Sequence, residues 1–197
     1  MTLKIGLTGG IGSGKTTVSH VFHKLGIPVF NSDLHAKELL EDEETKRTIV
    51  KNFGEDILDI KQSINKHKLS KIIFSDKNQL RFINQLIHPL VTKEFKKWVL
   101  LQNTAYVIKE YALLFQSDSN RKLDKIILVQ SPLDLRIQRV KKRDKKSIKE
   151  IKEVIKNQIK IKDILSKVDF IIHNNESRLL FSQIKSIHNQ LSKNSSI

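Results

Sequence analysis

The sequence predicts an α/β chain, with a parallel sheet covered by helices on both faces. Three observations carry that expectation. Short apolar segments rich in β-branched and aromatic residues recur along the chain, each separated from the next by a stretch of helical periodicity. The first of them runs directly into the glycine-rich stretch Gly9-Gly10-Ile11-Gly12-Ser13-Gly14-Lys15-Thr16. Beyond it, Val18, Val21, Phe22 and Leu25 fall at i, i+3, i+4 and i+7, which marks a helix over Thr17–Leu25. A strand followed by a loop and a helix, repeated along a chain, builds a parallel sheet.

Taken in order, the strands are Leu3–Thr8, Pro28–Phe30, Ala105–Ile108, Lys125–Val129 and Val168–Ile172. The interval between the second and third, Leu34 to Asn103, is far longer than one crossover helix requires. It contains amphipathic segments, among them Gln79–Ile87 and Val91–Leu101, and reads as a helical excursion able to form a substrate subdomain. His88-Pro89 lies between those two segments, where Pro89 marks a helix break. A second helical block, Leu133–Lys167, separates the fourth and fifth strands and holds the densest charge. The tail Leu191–Ile197 has little to bury and is expected to fray.

The glycine run matches G-x-x-x-x-G-K-[ST], and its setting between strand and helix is the one its chemistry needs. Glycines let successive N–H groups turn inward toward phosphate oxygens, and the helix N-terminus adds positive potential. Lys15 can then reach terminal phosphates, and the Thr16 hydroxyl can ligate magnesium. In parallel sheets ligands bind beyond the carboxyl ends of the strands, so residues there are the next candidates. Asp33 follows the second strand. Its carboxylate can orient or deprotonate an accepting hydroxyl, or it can cap the helical run Leu34–Leu40. Glu110 follows the third strand and can hold a magnesium shell through water or pair with a surface lysine. Arg136, Arg139 and Arg143 share a helix face at i, i+3, i+7, either as a phosphate-gripping lid or as a solvated basic face. His88 alone is weak evidence for a ligand, and no H-x-H or H-E-x-x-H pattern suggests zinc.

Composition narrows the classes. At 197 residues one domain with a real core is expected. There is no Cys, hence no disulfide framework or thiolate metal site. Neither a signal-peptide pattern nor a membrane-length apolar run is present, so a cytoplasmic protein without a membrane partner is the default. The formal charge is +15, yet only seven of the 36 basic residues are Arg, and Lys is spread throughout. A nucleic-acid footprint would cluster on one element with aromatic or Arg content, so nucleic acid is not expected as a partner.

Together these segments resemble the dephospho-coenzyme A kinase family over nearly the whole chain. Leu7–Thr17 is close to that family's phosphate loop, including the double glycine before Ile11. Gly26–Asp33 looks like its second strand. Ile72-Ile73-Phe74-Ser75-Asp76 and Asn84–Val91 are similar to its helical CoA subdomain, and Arg139–Asp144 to its lid. Gln158 and Val168–Asn175 match its last strand and adenine-side loop.

The resemblance implies a P-loop NTPase kinase fold in one domain, residues 1–197, with a five-stranded parallel sheet. The core would be about 1–33, 104–135 and 168–190, the CoA-binding insertion about 34–103, and the lid about 136–160. It implies ATP-dependent phosphorylation of the ribose 3′-hydroxyl of dephospho-CoA, giving coenzyme A and ADP, with ATP and Mg²⁺ required. Asp33 would be the base. Lys15 and the loop residues Gly10, Ile11, Gly12, Ser13, Gly14, Thr16 and Thr17 would hold the nucleotide phosphates. Arg139 and Arg143 would close on the phosphates, and Asn174 would lie beside the adenine. Asp33, His88 and Leu113 would face dephospho-CoA, Thr16 would ligate Mg²⁺, and Glu110 would do so through water.

The chain departs from the family pattern at Asn31 (for Asp), Lys66 (for Arg), Ala112 (for Pro) and Gln116 (for Glu). Two rivals remain on the residues themselves. One is another small-molecule or nucleoside monophosphate kinase; the other is a nucleic-acid-stimulated P-loop ATPase.

Overall fold

The computed structural model describes residues 2–115, 122–145 and 147–193. Gln116, Arg121 and the tail residues 194–197 lie outside the described residues. Two compact units emerge, Met1–Asn31 with Val99–Ile197, and Ser32–Trp98.

The first unit is built on five strands: β1 (Leu3–Thr8), β2 (Val29–Asn31), β3 (Tyr106–Glu110), β4 (Lys125–Gln130) and β5 (Phe170–His173). Their order is β2-β3-β1-β4-β5, and every pair is parallel. β1 is central and covered on both faces: Ile5 and Leu7 are fully enclosed on one, and a Cβ on Gly6 would meet Leu123 and Leu114 on the other. Alternation then sorts the side chains. On one face Ile5, Leu7, Tyr106, Ile108, Ile127, Val129 and Ile172 pack against α1 (Lys15–Lys24) and α8 (Leu180–Lys193) through Val18, Phe22, Ile184, Ile187 and Leu191. The Tyr106 hydroxyl, hydrogen-bonded to His188 Nδ1 at 2.7 Å, ties β3 to α8 across that layer. On the other face Ile126, Tyr111 and Leu114 form a smaller cluster with Leu113, Phe115, Leu123 and Val168.

The second unit is helical: α2 (Ser32–Leu39), α3 (Glu43–Phe53), α4 (Lys66–Ser75) and most of α5 (Lys77–Leu100). Asp42 caps α3 by accepting the Thr45 N–H, and Asn65 caps α4 by accepting that of Lys68. Its core is drawn from Ile49, Ile57, Ile64, Leu69, Ile83, Ile87, Val91 and Phe95. Back in the first unit, α6 (Leu133–Asp144) and α7 (Ile148–Lys156) lie between β4 and β5. A reciprocal Ser147–Glu150 capping box starts α7.

Three local expectations are corrected. Pro89 does not break a helix: α5 runs through it. Pro89 removes one backbone bond, but Ile83, Ile87, Val91 and Phe95 bury a single stripe on both sides of it, and that packing outweighs the loss. Asp33 is not a helix cap, because α2 begins one residue earlier and Asp33 sits in its first turn. Glu110 does not follow β3 but closes it, in register with Leu7 and Asn31.

β3 also carries a lysine. Lys109 is 2% exposed, and burial pushes its ammonium down from 10.5 to about 8. Between those two values the unfolded chain keeps a proton that the folded chain has released. Stability therefore rises with pH across that window and is flat at this position below it. Denaturation midpoints at pH 7.5 and 10 should show wild type gaining relative to Lys109→Met as pH rises. Parallel pH profiles for the two proteins would contradict the shift.

Candidate active site

The glycine loop joins β1 to α1 at the carboxyl rim of the sheet. Its shape needs glycine at two positions: Gly12 has φ +74° and Gly14 φ +94°. The same two places are crowded. A Cβ on Gly12 would lie 2.5 Å from the Arg136 carbonyl oxygen, and one on Gly14 would run into Asn174 Nδ2. Gly14 caps α1 without a side chain, so no capping side chain competes with an anion at the start of the helix. Lys15 Nζ donates to the Gly9 carbonyl at 2.9 Å and so spans the loop. Ser13 Oγ is buried with no hydrogen-bond partner among the described residues, a polar atom left over inside the loop. Thr16 and Thr17 are exposed in the first turn of α1.

Glu110 lies beneath that turn, 5% exposed. Thr16 Oγ1 donates to its Oε1 at 3.2 Å, and Ser19 Oγ donates to its Oε2 at 2.8 Å. One hydroxyl and one carboxylate make an oxygen-only donor pair. That suits Mg²⁺, which takes few protein ligands and fills the rest of its shell with phosphate oxygens and water. No cluster of three His, Cys, Asp or Glu suited to a metal occurs among the described residues, so the fit is to a phosphate-borne ion rather than to an all-protein cage.

The loop is braced from its other side. Arg136 Nε donates to the Ile11 carbonyl at 2.9 Å, while Gln158 Oε1 accepts from the Ile11 N–H at 3.0 Å and from Arg136 Nη2 at 3.1 Å. Asn174 Nδ2 donates to the Ser13 carbonyl at 2.9 Å. Arg139 Nη1 donates to Ser131 Oγ at 3.0 Å, both terminal nitrogens reach the Asn174 carbonyl at 3.3 Å, and Nη2 pairs with Glu176 at 3.0 Å. Arg143 forks onto Asp144 at 2.6 and 2.9 Å, and that hydrogen-bonded carboxylate raises its pKa. The three arginines of α6 therefore do different things. A cavity of about 390 Å³ opens beside the loop, between Thr8, Gly9, Gly10, Ala112 and Leu113 on one side and the chain from Ile155 to Ile164 on the other.

Of the residues expected at the site, the phosphate loop, Lys15, Thr16, Glu110, Arg139 and Asn174 gather around one loop, and Leu113 lines the cavity. Arg143 is exposed at the last turn of α6. Asp33 and His88 belong to the helical unit, on α2 and α5. Lys66 opens α4 and pairs with Glu41 at 3.3 Å. Sequence reasoning missed Ser19 as a second donor to Glu110, although its place one turn after Thr16 signals it. It also missed the joint grip of Arg136 and Gln158 on Ile11, which no local pattern encodes.

A glycine loop leaving the central strand of this parallel sheet, with a basic helix packed on it, defines a P-loop kinase. A shikimate kinase from Acinetobacter baumannii shares the fold at TM-score 0.57 and 17% identity, covering 100% of this chain and 97% of its own. A model of the dephospho-CoA kinase family matches residues 3–179. A dephospho-CoA kinase from Fusobacterium nucleatum subsp. nucleatum is 35% identical over 173 residues, covering 88% of this chain and 90% of its own. The structure of dephospho-CoA kinase from Campylobacter jejuni superposes at TM-score 0.72 and 26% identity, with 98% and 99% coverage. The chain belongs to the dephospho-CoA kinase family, which phosphorylates dephospho-CoA at the expense of ATP in the last step of coenzyme A biosynthesis.

Gly12→Ala tests the loop geometry. Left-handed strain and the clash with Arg136 together should weaken ATP binding about tenfold or more, read by calorimetric titration. Unchanged affinity would contradict the tight packing of α6 on the loop.

Proposed function

We propose that this chain carries the γ-phosphoryl group of ATP to the 3′-hydroxyl of dephospho-CoA with Lys15, Asp33 and Arg139 as its catalytic residues. The observation that supports it best is the pairing of Thr16 and Ser19 with buried Glu110 directly beneath a loop spanned by Lys15. In this reading Lys15 exchanges the Gly9 carbonyl for the β- and γ-phosphates, and the loop from Gly10 to Thr17 cradles the same oxygens while the Ile11 N–H stays with Gln158. Thr16 would ligate Mg²⁺, and Glu110 would hold its water shell. When bound, the ion neutralises charge on the phosphates. Asp33 orients the ribose 3′-hydroxyl and takes up its proton as the phosphoryl group transfers. Asn174, whose carbonyl Arg139 already holds, flanks the adenine, while Arg139 and Arg143, the latter leaving Asp144, reach the phosphates when the lid, about residues 136–160, closes. His88 and Leu113 contact dephospho-CoA, with residues 34–103 as its subdomain. The work is cytoplasmic, its partners are the two small-molecule substrates, and polynucleotides are not among them.

An acceptor panel tests the reading: dephospho-CoA, nucleoside monophosphates and shikimate, with DNA and RNA added separately. Dephospho-CoA should be the preferred acceptor, with turnover insensitive to either polynucleotide. ATP hydrolysis stimulated by DNA or RNA would overturn it. Lys15→Ala should abolish turnover. Asp33→Asn should lower kcat by roughly 10²–10⁴-fold while ATP still binds, and near-normal turnover would remove Asp33 from the role of base.

A further inference from the structure

The contacts on Ile11 form a closed arrangement. Its N–H donates to Gln158 Oε1, its carbonyl accepts from Arg136 Nε, and Arg136 Nη2 returns to the same Gln158 oxygen, all within 2.9–3.1 Å. The two peptide groups flanking the Ile11 Cα, at the tip of the phosphate loop, are thus each held by a side chain from outside it. Arg136 stands on the first turn of α6, and Gln158 just beyond α7. Their separations from Ile11 are 125 and 147 residues, so the grip closes the fold over itself.

The fit is tight: a Cβ on Gly10 would run into the Arg136 guanidinium. Both side chains also line the cavity beside the loop, where the stretch from Ile155 to Ile164 faces Thr8, Gly9 and Leu113. The geometry needs a planar fork, because two N–H groups on one guanidinium edge must meet two different acceptors. Gln158 serves both of these contacts purely as an acceptor.

We infer that Arg136 and Gln158 are positioning residues, a clasp that fixes Ile11 at the loop's tip and seats the 148–164 arm over the cavity. The inference rests on the kinase reading. With the clasp closed, the γ-phosphoryl group meets the acceptor hydroxyl. With it open, water enters and attacks the γ-phosphorus, the bond to the β–γ bridging oxygen breaks, and ADP, inorganic phosphate and a proton are released.

The test measures coenzyme A, ADP and inorganic phosphate together for wild type, Arg136→Lys, Gln158→Ala and Gln158→Glu, with thermal unfolding alongside. Arg136→Lys keeps the charge but loses the fork, and Gln158→Ala loses both acceptances. Each should lower kcat about 10- to 100-fold. The ratio of inorganic phosphate to coenzyme A should rise at least about threefold. KM for ATP should move less than about threefold. Gln158→Glu still accepts both bonds and should return the ratio to the wild-type value. The ratio does not depend on how much protein is folded, which separates positioning from mere stability. Wild-type partition in Arg136→Lys, an unchanged ratio in Gln158→Ala despite lower kcat, or Gln158→Glu as leaky as Gln158→Ala would each overturn the clasp. Coenzyme A formation by wild type reports on the reaction itself. A wild type that releases phosphate as freely as the variants overturns the clasp alone.

Discussion

Backbone that binds phosphate has to leave some of its N–H groups unspent, and a chain segment without a ladder or a helix to hold it does not keep one shape unaided. The loop from Gly9 to Gly14 is such a segment, and its neighbours supply the missing order. Glu110 holds the start of α1 from below through Thr16 and Ser19. Asn174 ties down the Ser13 carbonyl, and Arg136 with Gln158 ties down the Ile11 carbonyl and N–H. The sheet order places these braces: β1 is central, so β3 and β4 end on either side of its loop, and β5 follows beyond β4. Parallel pairing brings all those ends to one rim. The cradle is therefore held by contacts within the chain itself, which lowers the ordering cost of binding.

How far this was legible in the sequence depends on the range over which each feature is encoded. The phosphate loop and β1 are local, and the sequence located both. Strand ends drifted by one or two residues, and that drift decided meaning twice. Glu110 became the last residue of β3 rather than its successor, and α2 took in Ser32 ahead of Asp33. Both are boundary effects, set by pairing register and burial rather than by propensity. Pro89 shows the opposite failure, where a strong local rule yields to a buried stripe on α5. The clasp on Ile11 was out of reach, since its partners meet only when the sheet is complete. The resemblance supplied Gln158 as a matching residue but gave it no task.

The arginines of α6 show how composition and structure divide the same evidence. Against a lysine-rich background the i, i+3, i+7 spacing marked a helix face of interest. The structure then gives each residue a different partner: a loop carbonyl and Gln158 for Arg136, the Asn174 turn and Glu176 for Arg139, and neighbouring Asp144 for Arg143. Fork-shaped, bidentate contacts recur at all three, which a lysine could not reproduce. The high net charge, by contrast, comes mostly from lysines spread along the chain, and its physical reading is a largely solvated surface that attracts anionic substrates.

The central claim is the identity of the bond that is made. Phosphorus NMR of the product from ATP and dephospho-CoA, with proton correlation to the ribose, tests it most directly. The account predicts one new phosphomonoester coupled to the 3′-proton, formed in step with ADP. A phosphate attached elsewhere on the acceptor, or inorganic phosphate as the sole product, would contradict it.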